Sequence, residues 1–189
     1  MGSEYKNKPV GSFGKLGVIS FNGNKIITSG GGGVIITDDL ELGVKAKYLT
    51  TTAKKPHPYE YIHDDIGYNF RMPNINAALA CAQLEQLDLF LKDKRSLMIE
   101  YANYFSGKGI KFRQEQSHTK ANYWLMCIEL ESKKERDLFL KETNNSSVMT
   151  RPIWQLIFKS PLYSGFQKDN QKNALILEQR IVNIPSSAR

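Results

Sequence analysis

Little in this sequence invites a disulfide or a metal. Among 189 residues there are two cysteines, Cys81 and Cys127. They lie far apart with no ligand-type spacing, so neither a disulfide framework nor a zinc site is indicated, and reduced thiols are the simpler reading. Long apolar runs are missing too. None approaches the roughly 20 residues needed to cross a bilayer, and the opening MGSEYKNKP is polar, without the apolar core of a secretion signal. No membrane partner is expected, and the chain reads as cytoplasmic. Internal repeats and low-complexity tracts are absent, which argues against solenoids and long disordered linkers. Acidic residues are outnumbered, with 19 Asp and Glu against 26 Lys and Arg, for a net charge of +7. Such a balance favours anionic partners, whether nucleic acid, a nucleotide-linked small molecule or a phosphate cofactor. The basic residues are scattered rather than gathered in a block, which argues against nucleic acid.

What is present alternates in an α/β manner. Residues 17 to 21 (GVISF) and 33 to 37 (GVIIT) are short, β-branched and bounded by glycine, as buried strands are. Thr37-Asp38-Asp39 then offers side-chain oxygens to cap a helix through about Tyr48. A polar connection over 51 to 73 contains Pro56, Pro58 and HDDIGYNFRMP. From Asn74 to about Leu91 a helix is expected, with Ala77, Ala80, Leu84, Leu87 and Leu91 stepping by three and four. Ile75, Leu79 and Ala82 cover a second side, which implies deep burial or a subunit contact. A further helix over about 93 to 105 ends at Gly107 and Gly109. The last third reads as a strand over 122 to 130, a helix over 133 to 143 and an extended piece near Arg151. NALILEQRIVNIP then runs from helix into strand. The boundary this implies divides the chain into 1–92 and a small α/β domain over 93–189.

Two motifs stand out. Gly30 to Gly33 could be taken for a phosphate cradle, but a P-loop requires Gly-Lys-Ser/Thr followed by a helix, and here a strand, Val34-Ile35-Ile36, follows. The glycines read instead as close backbone approach or unusual dihedrals. Lys25 in SFNGNKIIT sits just past a strand end behind Asn22-Gly23-Asn24. A lysine held there in a polar pocket loses its proton more easily, and its neutral amine attacks a carbonyl to form a Schiff base. By spacing alone, a surface lysine beside a turn is the plainer reading.

The longer text resolves that choice. SFNGNKIITSGGGGVIITDD, followed by HDDIGYNFRMPNINAALACAQLEQLD, resembles the DegT/StrS family of pyridoxal-phosphate-dependent sugar aminotransferases. TRPIWQLIFKSPLY and RIVNIPSS resemble the ends of the branch acting on nucleotide-linked 4-keto-6-deoxy sugars of the legionaminic acid or bacillosamine type. The resemblance implies a fragment of the aspartate aminotransferase-like fold, fold type I. Residues 1–92 would be the end of the cofactor-binding large domain with the lysine loop and a dimer-contact helix, and 93–189 the small domain.

The resemblance also implies roles. Lys25 would carry pyridoxal 5'-phosphate as a Schiff base, and Ser20 would hydrogen-bond its phosphate. Asn69 would reach the phosphate of the neighbouring subunit's cofactor, Arg71 would help in that shared site, and His63 and Tyr68 would flank it. On residue type alone, Asn69 is also a turn residue, Arg71 an ion-pair partner and His63 a loop histidine. The reaction implied is transfer of an amino group from glutamate to C4 of the keto sugar, with the Lys25 amine as proton carrier. Family members are about twice this length. The amino-terminal half would supply the phosphate loop, the ring that stacks on the cofactor and the acid at the pyridine nitrogen. The chain is therefore expected to be inactive alone, and to need a homodimer with shared sites or complementation by that half. The alternative is a non-catalytic interaction module that dimerises with a full-length relative.

Overall fold

The computed structural model describes residues 1–189. The chain divides into two compact units, Met1–Leu91 with Gln116–Asn122, and Lys92–Glu115 with Tyr123–Arg189. No helix is long and apolar enough to cross a membrane.

The first unit starts with two very short strands, β1 (Glu4–Tyr5) and β2 (Lys8–Pro9), then β3 (Gly17–Ser20) and β4 (Gly33–Ile36). β3 and β4 pair only with each other, antiparallel, with Ser20 opposite Gly33. The helix α1 (Leu40–Thr50) begins where Asp39 accepts a hydrogen bond from the Leu42 amide at 3.1 Å, and carries Glu41 in its first turn and Lys47 in its last. Both charges suit the helix dipole. The helix α2 (Asn74–Glu85) follows, and then α3 (Leu87–Phe105), whose residues from Lys92 on belong to the second unit. The break between them falls at Gln86, five residues before the expected end at Leu91, and α3 runs unbroken across the position where the sequence suggests a second start. The glycine run behaves as its composition suggests. Gly30 and Gly32 both have φ of +81°, and a Cβ on Gly33 would lie 2.6 Å from the Ile19 carbonyl oxygen. Those backbone states favour glycine.

In the second unit, β5 (Lys111–Phe112), β7 (Met126–Glu129), β8 (Arg151–Pro152) and β9 (Ile181–Ile184) form an antiparallel sheet in the order β5-β7-β9-β8. The remaining strand, β6 (Thr119–Lys120), belongs to the first unit and pairs with β1, so the chain returns there for seven residues. The helix α4 (Lys133–Asn145) is capped by Ser132, whose hydroxyl accepts from the Glu135 amide. The short helix α5 (Lys172–Glu178) leads into β9. β1, β2, β5 and β6 are two residues each, too short for period-two alternation to register in a sequence.

The two units differ in their cores. Phe105, Tyr123, Met126, Ile128, Leu130, Ile181, Val182 and Ile184 are buried in the second unit, where β7 alternates for one covered face while β9 also buries the adjacent Ile181 and Val182. The first unit buries Phe21, Ile27, Ala53 and Ala80, and leaves Val18 76% and Ile75 85% exposed. In the second unit the amine of Lys94 is buried and donates to the Ser186 carbonyl. Burial holds that amine below the ordinary lysine value, opposed by the charge of Asp93.

Candidate functional site

Two neighbourhoods in the first unit collect the residues singled out in the sequence. One is the loop between β3 and β4. Phe21, Ile27 and Ser29 are buried along it, and the Phe21 amide donates to Gly32 O at 3.0 Å, so the loop is closed on itself rather than extended. Within it the Lys25 amide donates to Asn22 O at 3.0 Å, and the Asn22 amide donates to Ser20 Oγ at 3.2 Å. The hydroxyl of Ser20 and the half-buried side chain of Lys25 thus belong to one closed turn. The Lys25 charge reaches the amine of Met1, which burial first and that charge second hold below its ordinary value.

The loop is fastened from α2. Asn76 Nδ2 donates to Ser29 O at 2.5 Å, and Gln83 Oε1 accepts from the Thr28 amide at 3.4 Å. Asn76 and Gln83 are seven residues apart, two helical turns, so one face of α2 presents both. Sequence reasoning passed over them because polar residues between alanines and leucines look like the solvent side of a helix.

The second neighbourhood is a strap. Residues 49 to 55 run antiparallel to residues 62 to 70. Tyr68 N donates to Leu49 O at 2.7 Å, Thr52 N to Tyr68 O at 3.0 Å, Phe70 N to Thr50 O at 3.0 Å and Lys55 N to Ile62 O at 2.8 Å. Thr51 bridges Asn69, and Lys54 bridges His63. Thr52 and Ala53 have φ of +68° and +49°, and Gly67 lies against them so closely that a Cβ there would sit 2.3 Å from Ala53 N. Left-handed backbone at two consecutive non-glycine residues is strained and persists only where its surroundings enforce it. His63 contributes to that enforcement, its Nδ1 lying 2.7 Å from Thr52 O. Tyr68 and Phe70 stack with centroids 5.1 Å apart on the exposed side of the strap.

The carboxylates of the HDD motif close the strap onto α1. Asp64 accepts from Lys55 at 2.7 Å and from the Tyr48 hydroxyl, and Asp65 accepts from Lys45 at 3.1 Å. These contacts, Lys55 foremost for Asp64 and Lys45 for Asp65, hold both carboxyls below the usual range. The hydrogen bond to Asp64 pushes the Tyr48 phenol up to about 12.

Asn69 and Arg71, at the end of the strap, line a cavity of about 1170 Å³. Gly31 to Gly33, Lys47, Lys54, Lys55 and His57 also line it, and no carboxylate does. Lys25 and Ser20 are not among its walls. The sequence-derived residues therefore form two pairs, Ser20 with Lys25 on the turn and Asn69 with Arg71 at the cavity. The donor set fits pyridoxal phosphate: a primary amine for the aldehyde, and a hydroxyl, a carboxamide and a guanidinium for the phosphate.

Comparison with known proteins bears on this arrangement. The profile of the DegT/DnrJ/EryC1/StrS aminotransferase family matches residues 1–189. GDP-perosamine synthase of Escherichia coli O157:H7 is 35% identical over 187 residues, covering 98% of this chain and 50% of that protein. GDP-perosamine synthase of Vibrio cholerae is 32% identical over 195 residues, covering 98% and 51%. Among solved structures, Helicobacter pylori PseC, an aminotransferase involved in the biosynthesis of pseudoaminic acid, superposes with a TM-score of 0.91. It is 26% identical, and the match covers 99% of this chain and 52% of PseC. A Streptococcus pneumoniae protein solved in its PLP-form has the same fold, with a TM-score of 0.89 at 22% identity. The chain spans about half the length of the curated relatives it matches.

Proposed function

Since the chain belongs to the DegT/DnrJ/EryC1/StrS aminotransferase family, built on fold type I with pyridoxal phosphate as cofactor, we propose that it is part of a sugar aminotransferase. Its reaction moves an amino group from glutamate to C4 of a nucleotide-linked 4-keto-6-deoxy sugar. The observation that carries this reading is the closed turn that joins the Ser20 hydroxyl to Lys25. When bound, the cofactor supplies an aldehyde and an electron-accepting ring on which amino groups are exchanged.

The chain's own residues divide the work. Lys25 Nζ would hold the cofactor aldehyde, and as a free amine it would take up and return a proton. Ser20 Oγ, beside it on the turn, donates to phosphate. Asn69 and Arg71 supply one neutral and one charged set of N–H donors, which suit a second phosphate contact. The family resemblance assigns them to the cofactor of a neighbouring subunit in a homodimer with shared sites, and a cavity whose walls do not include Lys25 agrees with that assignment.

The apolar surface of the first unit supports a partner polypeptide. β3 and β4 pair with nothing but each other, and Val18, Leu40 and Ile75 are each more than 70% exposed. Unpaired strand edges and apolar patches of this kind mark surfaces that another chain covers. The amino-terminal half that the relatives contain is the expected cover. Division of residues 1–92 and 93–189 into large-domain and small-domain parts is proposed on the same grounds.

Titration with pyridoxal phosphate tests the reading. The native chain, alone or with its complementing half, is expected to develop near-visible absorbance that Lys25→Ala lacks. Equal absorbance from the two proteins would contradict it.

A further inference from the structure

The chain has two tryptophans, and both lie in one stack of the second unit. Trp124 is half-buried just ahead of β7, and Trp154 follows β8. Their ring centroids are 6.0 Å apart with planes inclined by 29°. Trp154 is nevertheless 65% exposed. One side of its indole is backed by a second indole while much of the rest faces water.

The backbone around Trp154 is held at both ends. Arg151 and Pro152 pair with Asn183 and Val182 of β9. On the other side the Leu156 amide donates to Glu178 Oε1 at 2.8 Å, and Lys159 pairs with the same carboxylate. A large aromatic surface that is already ordered loses little freedom when a flat ring lands on it, which is what makes Trp effective in recognition. The charge of the unit narrows the ligand. Residues 92–115 and 123–189 contain sixteen Lys and Arg against ten Asp and Glu, so six of the chain's seven net positive charges lie in this unit. A ligand that joins a flat ring to negative charge is a nucleotide.

We infer that Trp154, backed by Trp124, is a stacking platform for the base of a nucleoside diphosphate. The platform takes its ligand class from the nucleotide-sugar reading above, and rests on residues which that reading does not use.

Because both tryptophans belong to the stack, the intrinsic fluorescence of the whole 189-residue chain reports on it. GDP and UDP are titrated separately, with inorganic pyrophosphate and glucose 1-phosphate as controls. At least one nucleotide is expected to quench saturably, and neither control should. By calorimetry, Trp154→Ala is expected to weaken nucleotide binding about tenfold or more, the usual loss when a stacking ring is removed. Trp154→Phe keeps a ring and should bind within about threefold of native. The platform is overturned if neither nucleotide binds, if Trp154→Ala binds as tightly as native, or if glucose 1-phosphate quenches as strongly as the nucleotides. None of these readouts requires pyridoxal phosphate. A nucleotide that stacks on a chain whose Lys25 takes no cofactor leaves the platform standing, and a chain that takes cofactor on Lys25 without quenching removes the platform alone.

Discussion

Asn76 donates its side-chain amide to the carbonyl of Ser29 at 2.5 Å, and so ties the loop that presents Lys25 to the first turn of α2. Ser29 is fully buried, so that carbonyl cannot exchange its partner for water. The helix thereby fixes the lysine loop across 47 residues of sequence.

Removing the donor should loosen the loop. Asn76→Ala leaves a buried acceptor unsatisfied, at a cost of about 1–3 kcal/mol. Urea unfolding is expected to show a loss in that range, with faster hydrogen exchange at the Lys25 and Ser29 amides. Unchanged exchange at both amides would show that the loop holds without α2.

Gly67 should tolerate no side chain. An added Cβ meets backbone atoms of Thr52 and Ala53 at 2.3 Å, and backbone cannot swing aside as a side-chain tip does. Gly67→Ala is expected to destabilise by about 1–3 kcal/mol, as overpacked sites do, and to free the Thr52 and Tyr68 amides to exchange. Native exchange at those amides would contradict the strap.

The strap should weaken at both ends of the pH scale. Asp64 and Asp65 have folded-state values below the ordinary aspartate value, so their contribution is complete above that value and lost as pH falls through the depressed ones. Tyr48 is shifted the other way. Its contribution is complete below its ordinary value of 10.0 and is lost as pH rises through about 12. Protection of the strap amides, taken relative to their intrinsic exchange rate at each pH, is expected to fall on both flanks. Asp64→Asn removes the titrating charge opposite Lys55 and should reduce the acid flank to the part that Asp65 carries.

The two units should differ in protection. Ile128 is fully buried between its neighbours in the second unit's sheet, so Ile128→Ala is expected to cost about 2–5 kcal/mol. Val18, three-quarters exposed on β3, should change stability by no more than about 0.5 kcal/mol when replaced by alanine in the isolated chain. The slowest-exchanging amides are expected in β7 and β9. Equal protection of β3 and β7 would overturn this asymmetry.

How much of this was legible in sequence depends on how local its physics is. β3, β4 and α1 follow from β-branched runs and from Asp39 as a cap, signals contained within a few residues, and α4 falls on the stretch read as a helix over 133 to 143. The helix break at Gln86 carries no Gly or Pro and could not be seen. Lys25 and Ser20 sit five positions apart and are joined by a turn that Asn22-Gly23-Asn24 announces. Asn69 and Arg71 were identifiable through a family motif, but the strap that positions them was not. Its bonds join residues 7 to 20 positions apart, and its strain at Thr52 and Ala53 leaves no mark in residue type. His63, a site flank by the family resemblance and a loop histidine by residue type, has its Nδ1 2.7 Å from the Thr52 carbonyl oxygen, a contact across the strap that residue type does not announce. On α2 the sequence leaves deep packing and a subunit contact as alternatives, and in the single chain Ile75 is exposed while Ala80 is buried.

The central claim is that Lys25 is the residue that takes the cofactor. Its most direct test is reduction of the pyridoxal-phosphate-treated chain with borohydride, followed by peptide mapping by mass spectrometry. The pyridoxyl group is expected on the peptide containing Lys25, at one equivalent per chain, and absent from Lys25→Ala. A label spread over several lysines, or fixed on another one, would contradict the account.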